Sequence, residues 1–309
     1  MLWVGWRQQR TETVIAAGLL ALLAALLIPT GLHIASAYDS GGLSACVGRA
    51  GSPGCQTVID AFFSRFGQLG DMLAWVTLVP GVIGLLLAAP LVSQLEHGTH
   101  RLDWTQSITR GRWLAGKLGL AVATAVAAAV VLTLLLTWWR GPFVHFQGRV
   151  SNSIYDSEGT VVGAYAVFAL GLAAAVGAVW RRAVPSFVVA FGGYFAARIF
   201  VDTFLRQRLV KPITATWPVS RGGPNLDTAW VIQQYPTGRN GEMLKQFGCP
   251  HNAGGACRIP VDEKPEFAFM HAVYHPTSQF WALQIRETAL FGLTGLALLG
   301  FAAWWTARS

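Results

Sequence analysis

Charge is scarce in this chain. Lysine, arginine, aspartate and glutamate together make up 12% of its 309 residues, roughly half the share of a soluble domain, where about 25% of residues are charged. Hydrophobic residues reach 53% and mean hydropathy is +0.45, so an ordinary soluble domain is excluded and an integral membrane protein is expected. Acidic groups are the scarcer sign, 15 against 23 basic, for a net charge of +8. The basic excess is not gathered on one arm or helix and comes with no zinc, helix-turn-helix or RNA-binding signature, which argues against nucleic acid as a partner. Enzyme signatures are missing too. There is no Gly-x-Ser-x-Gly, no His-Glu-x-x-His, and no paired acidic motif with a downstream histidine on neighbouring spans. No catalytic residue is assigned, and a non-catalytic chain is expected.

What is present is a series of long apolar runs. Spans are expected over residues 13–37, 72–92, 114–139, 160–180, 186–205 and 288–305, each close to the roughly 20 residues a helix needs to cross a bilayer. The start, with Trp3 and Trp6 beside Arg7 and Arg10, reads as a short interfacial helix. The apolar run from Val14 is too long for a signal-peptide core. Between spans two and three, the stretch PLVSQLEHGTHRLDWTQSITRGRWLAGK carries Arg101, Arg110, Arg112 and Lys117 against Glu96 and Asp103. A short loop rich in Lys and Arg stays in the cytoplasm. Six spans then put both termini inside, and Arg7, Arg10, Arg181, Arg182 and Arg308 fall on the same side.

The expected fold class is an all-α membrane protein in three parts. Residues 1–205 hold the first five spans and the inner loop 93–113; residues 206–284 form a large extracellular segment whose apolar end, 267–283, lies on or dips into the membrane; residues 285–309 hold the last span and a cytoplasmic tail. All four cysteines, Cys46, Cys55, Cys249 and Cys257, fall in segments assigned to the outside, where disulfides persist. Four cysteines allow three pairings. Local pairing, Cys46 with Cys55 and Cys249 with Cys257, is expected because each closes a small loop within one polar segment.

Several apparent motifs carry little. Residues 111–117, GRWLAGK, imitate a phosphate loop, but Trp113 is too bulky for backbone amides to approach a phosphate and Leu118 stands where Ser or Thr is needed. Lys117 is expected to snorkel from the cytoplasmic end of span three. His97 and His100 flank Gly98 with no third ligand nearby, and His251, His271 and His275 fit no zinc spacing; no metal site is assigned. Arg198 and Asp202, four residues apart on span five, share a helix face, with Arg286 and Glu287 at the same level on span six. Charges at this depth are expensive and suggest function by default, although mutual neutralisation between packed helices explains them as well.

Six spans with an N-terminal WRQQR, a large final outer segment, the inner stretch LEHGTHRLDWTQSITRGRWLAGKL and the tail YHPTSQFWALQIRET together resemble the permease subunits of type 2 ABC exporters, especially the small permeases common in actinobacteria. Glu96, Gly98, Thr99, Gly116 and Lys117 match that family's inner loop residue by residue, and Glu287 stands at its acidic position before the last span. The resemblance implies a cytoplasmic coupling helix in the inner loop and a re-entrant stretch leading into span six. It also implies a cytoplasmic ABC ATPase partner that binds ATP and Mg, no cofactor in this chain, and a second permease copy or a paralogue to complete the path. The location implied is the bacterial plasma membrane, in contact with lipid.

Within the loop, Leu102, Trp104 and Ile108 are the expected apolar anchors in a groove of the ATPase. Glu96 is expected to brace span two against a neighbouring basic group, and Arg110 or Arg112 to meet acidic protein or lipid phosphate. Apolar spans with few buried charges suit amphipathic or hydrophobic cargo. The alternative is a membrane-embedded sensor or assembly factor whose disulfide-bonded outer segment binds a ligand.

Overall fold

The computed structural model describes residues 2–49, 52–98, 110–218, 221–238 and 269–308. The long helices are α1 (Leu2–Ser40), α2 (Pro53–Met72), α3 (Val79–Glu96), α4 (Arg110–Gln147), α5 (Val161–Trp180), α6 (Ala183–Phe200) and α7 (Phe280–Arg308). Six segments are long and apolar enough to cross a membrane, with α2 and α3 counted together through the 3-10 stretch Leu73–Leu78. The membrane body is therefore all-α with six spans.

Helix α5 is the centre. Its sequence, VVGAYAVFALGLAAAVGAVW, carries no charge, and residues from Val161 to Ala178 are buried on nearly every side. A helix apolar all round belongs inside a bundle. Small residues let its neighbours come close: a Cβ on Gly171 would stand 2.4 Å from the Gly295 carbonyl oxygen of α7, and one on Gly84 of α3 would stand 2.2 Å from the Ala166 carbonyl oxygen. Such close backbone approach is how helices gain dispersion energy where lipid cancels the hydrophobic drive. The Ala121, Ala125 and Ala129 stripe of α4 is buried as well. In contrast Leu22 and Leu26 of α1 and Val130 and Leu134 of α4 are at least half exposed, as lipid-facing positions should be.

Helix α4 runs past the span end expected at Trp139, because Trp139 is itself buried, stacks on Phe143 and donates from Nε1 to Thr30 Oγ1 at 3.0 Å. The segment after α1, expected as a loop, contains α2 instead. Phe62 and Phe66 are buried on one face of α2 and pack on Phe143 and His33. The Cys46–Cys55 disulfide, with a Cα separation of 5.4 Å, ties the short turn Leu43–Cys46 to the first turn of α2. Cys249 and Cys257 lie outside the described residues.

Beyond α6 the chain makes one turn of π-helix, Val201–Leu205, and one of α-helix, Arg206–Leu209. It then enters a three-stranded antiparallel sheet of β1 (Ile213–Pro218), β2 (Trp230–Thr237) and β3 (Phe269–His275), with β3 in the middle. Where a re-entrant end is expected over 267–283, the described residues form β3, a short 3-10 turn and the first turn of α7. A small second core of Val150, Tyr155, Val210, Phe280 and Leu283 seats the sheet on the bundle. Gly148, at φ 74°, turns the chain there, and a Cβ on it would meet the Thr228 carbonyl oxygen at 2.1 Å. This defines a sheet end of the molecule. The opposite, loop end is where α3 stops and α4 starts.

Candidate functional sites at the two ends of the bundle

At the sheet end, carboxylates and guanidinium groups from four parts of the chain meet in a buried network. Arg206, 1% exposed, is its hub. It donates from Nη2 to Asp156 Oδ1 at 2.5 Å, from Nη1 to Asp202 Oδ1 at 2.5 Å, and from Nε and Nη2 to the two oxygens of Glu287 at 3.0 and 3.1 Å. Arg198 donates to the second oxygen of Asp156 at 2.8 Å and lies over the Tyr165 ring, 3.7 Å from its centre. The Tyr165 hydroxyl donates to Glu287 Oε1 at 2.6 Å.

A second layer closes the network. Arg149 pairs with Glu158 at 2.8 Å, and Gln284 donates to the carbonyls of Tyr155 and Glu158 while accepting from Val161 N–H at 3.1 Å. Burial, with the Glu287 carboxylate close by, pushes the Tyr155 phenol well above its ordinary range, so it stays neutral. The arrangement joins the α4–α5 connection, α5, α6 with the two turns that follow it, and α7. Desolvating an isolated ion costs roughly several kcal/mol, which ion pairing of this kind offsets; Arg198 Nη1 and the Tyr155 hydroxyl are buried in it without a hydrogen-bond partner among the described residues.

Of the four charges singled out in the sequence, Arg198, Asp202 and Glu287 enter the network. Arg198 and Asp202, expected to pair with each other, are bonded instead to Asp156 and Arg206. Arg286 is exposed and turned away, donating to the Leu209 carbonyl, because adjacent residues on a helix point about 100° apart. Asp156, Tyr165 and the hub Arg206 were not singled out. The spacing of Arg198, Asp202 and Arg206, four residues each, was the available signal for the hub. Nothing local points to Asp156.

At the loop end, the two sides of the long polar interruption are held together. Lys117 donates to Gln94 Oε1 and lies 4.4 Å from the Trp113 ring centre. Glu96 accepts from Ala183 N–H at 3.2 Å. That bond satisfies one of the open donors at the start of α6, where Arg182, the preceding residue, makes no side-chain cap and Arg181 stands at φ 52°. The negative charge also suits the positive end of the helix dipole. Glu96 thus braces span two against the backbone of α6, where a basic side chain is the partner expected from sequence. Gly98 has φ 69° with open space around it, a conformation that favours glycine. Thr99, Leu102, Trp104 and Ile108 lie outside the described residues. Arg110 and Arg112 stand in the first turn of α4.

A family model described as ABC-2 membrane transporter related matches residues 17–206. No curated protein and no solved structure matches the chain. The matched stretch runs from within α1 to the hub arginine and so covers most of the first five spans and the stretch between α3 and α4.

Proposed function

The chain belongs to the ABC-2 membrane transporter-related family, and from that premise we propose that it is an export permease whose loop 93–113 receives force from a separate ATPase. Membership makes it a multi-pass ABC transporter permease that associates with an ABC ATPase subunit. The finer reading is a small exporter of the actinobacterial type in the bacterial plasma membrane. Its two termini and loop end face the cytoplasm and its sheet end faces outward. ATP and Mg are bound by the partner, and this chain supplies no catalytic group. Two copies, or one copy and a paralogue, line the path for an amphipathic or hydrophobic cargo.

The observation that carries this reading is the anchoring of the loop end. Lys117 with Gln94 closes the loop at its base, and Glu96 with Ala183 ties that base to α6. A push on residues between these anchors reaches α3, α4 and α6 together, which is what rocking one half against another requires. Affinity purification of the full chain in mild detergent, followed by mass spectrometry, tests the proposal. An ABC ATPase should co-purify, and Trp104→Ala should lower its recovery severalfold. Undiminished recovery with undiminished transport would remove this loop as the coupling site. A kinase or regulator recovered without any ATPase would favour the sensor reading.

A further inference from the structure

Between the turn Arg206–Leu209, β2, β3 and the first turns of α7 lies an open groove of about 650 Å³, within the roughly 300–1,000 Å³ of ordinary ligand sites. Its polar wall is made by Arg208, Lys211 and Arg286 with the amides Gln207 and Gln233, and among the described residues no carboxylate lines it. The neighbouring network uses the carboxylates of Asp156, Glu158, Asp202 and Glu287 on Arg149, Arg198 and Arg206. Among the described residues, none of the three groove cations has a carboxylate within ion-pair distance. Arg286 donates one N–H to the Leu209 carbonyl; a guanidinium has five donors, so four remain. Like charges drawn into one groove repel unless an anion sits among them.

Position narrows the class of anion. The candidate span that contains α6 ends at Leu209 and the one that contains α7 begins at Thr277, so the groove lies toward the sheet-side ends of two spans. On neighbouring helix turns, Phe204, Trp281 and Ile285 are each more than half exposed. A cationic groove with exposed apolar side chains on neighbouring helix turns suits a molecule with an anionic head and an apolar tail. A phosphate suits it better than a carboxylate, since three cations can share its oxygens and a guanidinium binds two of them at once.

We propose that this groove is a phosphate-binding site for the headgroup of an amphipathic molecule lying at the membrane boundary. The site does not depend on which ATPase drives the chain or on the direction of transport, because its test reads binding directly. Calorimetric titration of the purified full chain in detergent uses dihexanoyl phosphatidic acid and, separately, inorganic phosphate. Saturable binding of the lipid is expected, weakening with salt and about fivefold weaker for each of Arg208→Gln and Lys211→Gln. Both positions are exposed, so the fold should survive; the swaps Arg208→Lys and Lys211→Arg should retain binding, and Arg221→Gln on the β1–β2 connection should leave it unchanged.

Competition by equimolar inorganic phosphate would identify the free anion as sufficient, and lack of competition would identify the lipid headgroup with its tail. Either outcome supports the site. Absence of saturable binding by both probes, or equal affinity in the Arg208→Gln/Lys211→Gln double variant, would overturn it.

Discussion

At the scale of single residues, Arg206 and Glu96 do different kinds of work. Arg206 is a buried ion bonded through all three nitrogens, so its loss leaves the sealed Glu287 with no paired cation among the described residues and Asp156 with Arg198 alone. Breaking such a cluster by removing one partner costs about 3–5 kcal/mol. Arg206→Ala should therefore lose that much stability in detergent unfolding. Arg206→Lys should fall between, because an ammonium keeps the charge but cannot span two carboxylates as the planar fork does. Asp202, whose side chain is 37% exposed, should matter far less, with Asp202→Asn costing about 1 kcal/mol or less.

Glu96 is exposed and holds one backbone donor. Glu96→Ala should cost about 1 kcal/mol or less, the usual effect of losing a cap, yet transport per ATP hydrolysed should drop severalfold in proteoliposomes while the ATPase still co-purifies. Unchanged transport per ATP would mean the α3–α6 tie only stabilises and does not relay movement.

At the scale of elements, the close contact of α5 with α7 makes a sharper demand than any hydrophobic pattern. The Gly295 Cα lies in contact with the backbone of Phe168, and a Cβ on it would stand 2.8 Å from the Phe168 Cα. Gly295→Leu should force the two helices apart. Overpacking of this kind costs about 1–3 kcal/mol; Gly300→Leu, with open space around it, should cost little in the same thermal unfolding assay.

These elements also mark what could be read in advance. All six spans were legible as elements because lipid imposes length and apolarity together, α5 to within a residue, whereas α4 and α7 each run eight residues further at the sheet end; burial of Ala121, Ala125 and Ala129 followed from their spacing alone. Helix α2 was hidden by its glycine and polar residues, although Val58, Phe62 and Phe66 recur every four positions. The sheet was missed because a short apolar run such as Phe269–His275 has the same composition as a segment lying on the membrane, and only its partners β1 and β2 make it a strand. The charge network needed contacts between residues 50 and 81 apart in sequence, which no local pattern contains.

At the scale of the whole molecule, the two ends differ in the chemistry they present. Gln9, Pro90 and Lys117 line one small cavity, so the N-terminal part of α1 shares the loop end with the close of α3 and the start of α4. Helix α7 runs alongside α5 from the Thr160–Thr288 bond to its last turn, where Arg308 lies over Trp304. The loop end thus collects Arg7, Arg10, Lys117, Arg181, Arg182 and Arg308 in short segments, and because such segments are retained in the cytoplasm, the proposed orientation puts this end inside.

The long segment between α6 and α7 is also basic, but long segments cross regardless of charge, and the sheet end it builds carries the Cys46–Cys55 bridge. A disulfide closing about ten residues stabilises by about 2–3 kcal/mol, and only where thiols are oxidised. Cysteines introduced at Arg182 and at Thr216, in a chain whose four native cysteines are serine and which still transports, should separate cleanly with a membrane-impermeant maleimide. In intact cells Thr216→Cys should label, and Arg182→Cys should label only after permeabilisation. The reverse pattern would invert the protein in its membrane, place the loop 93–113 beyond the reach of any cytoplasmic ATPase, and leave the buried arginine network facing the cell interior.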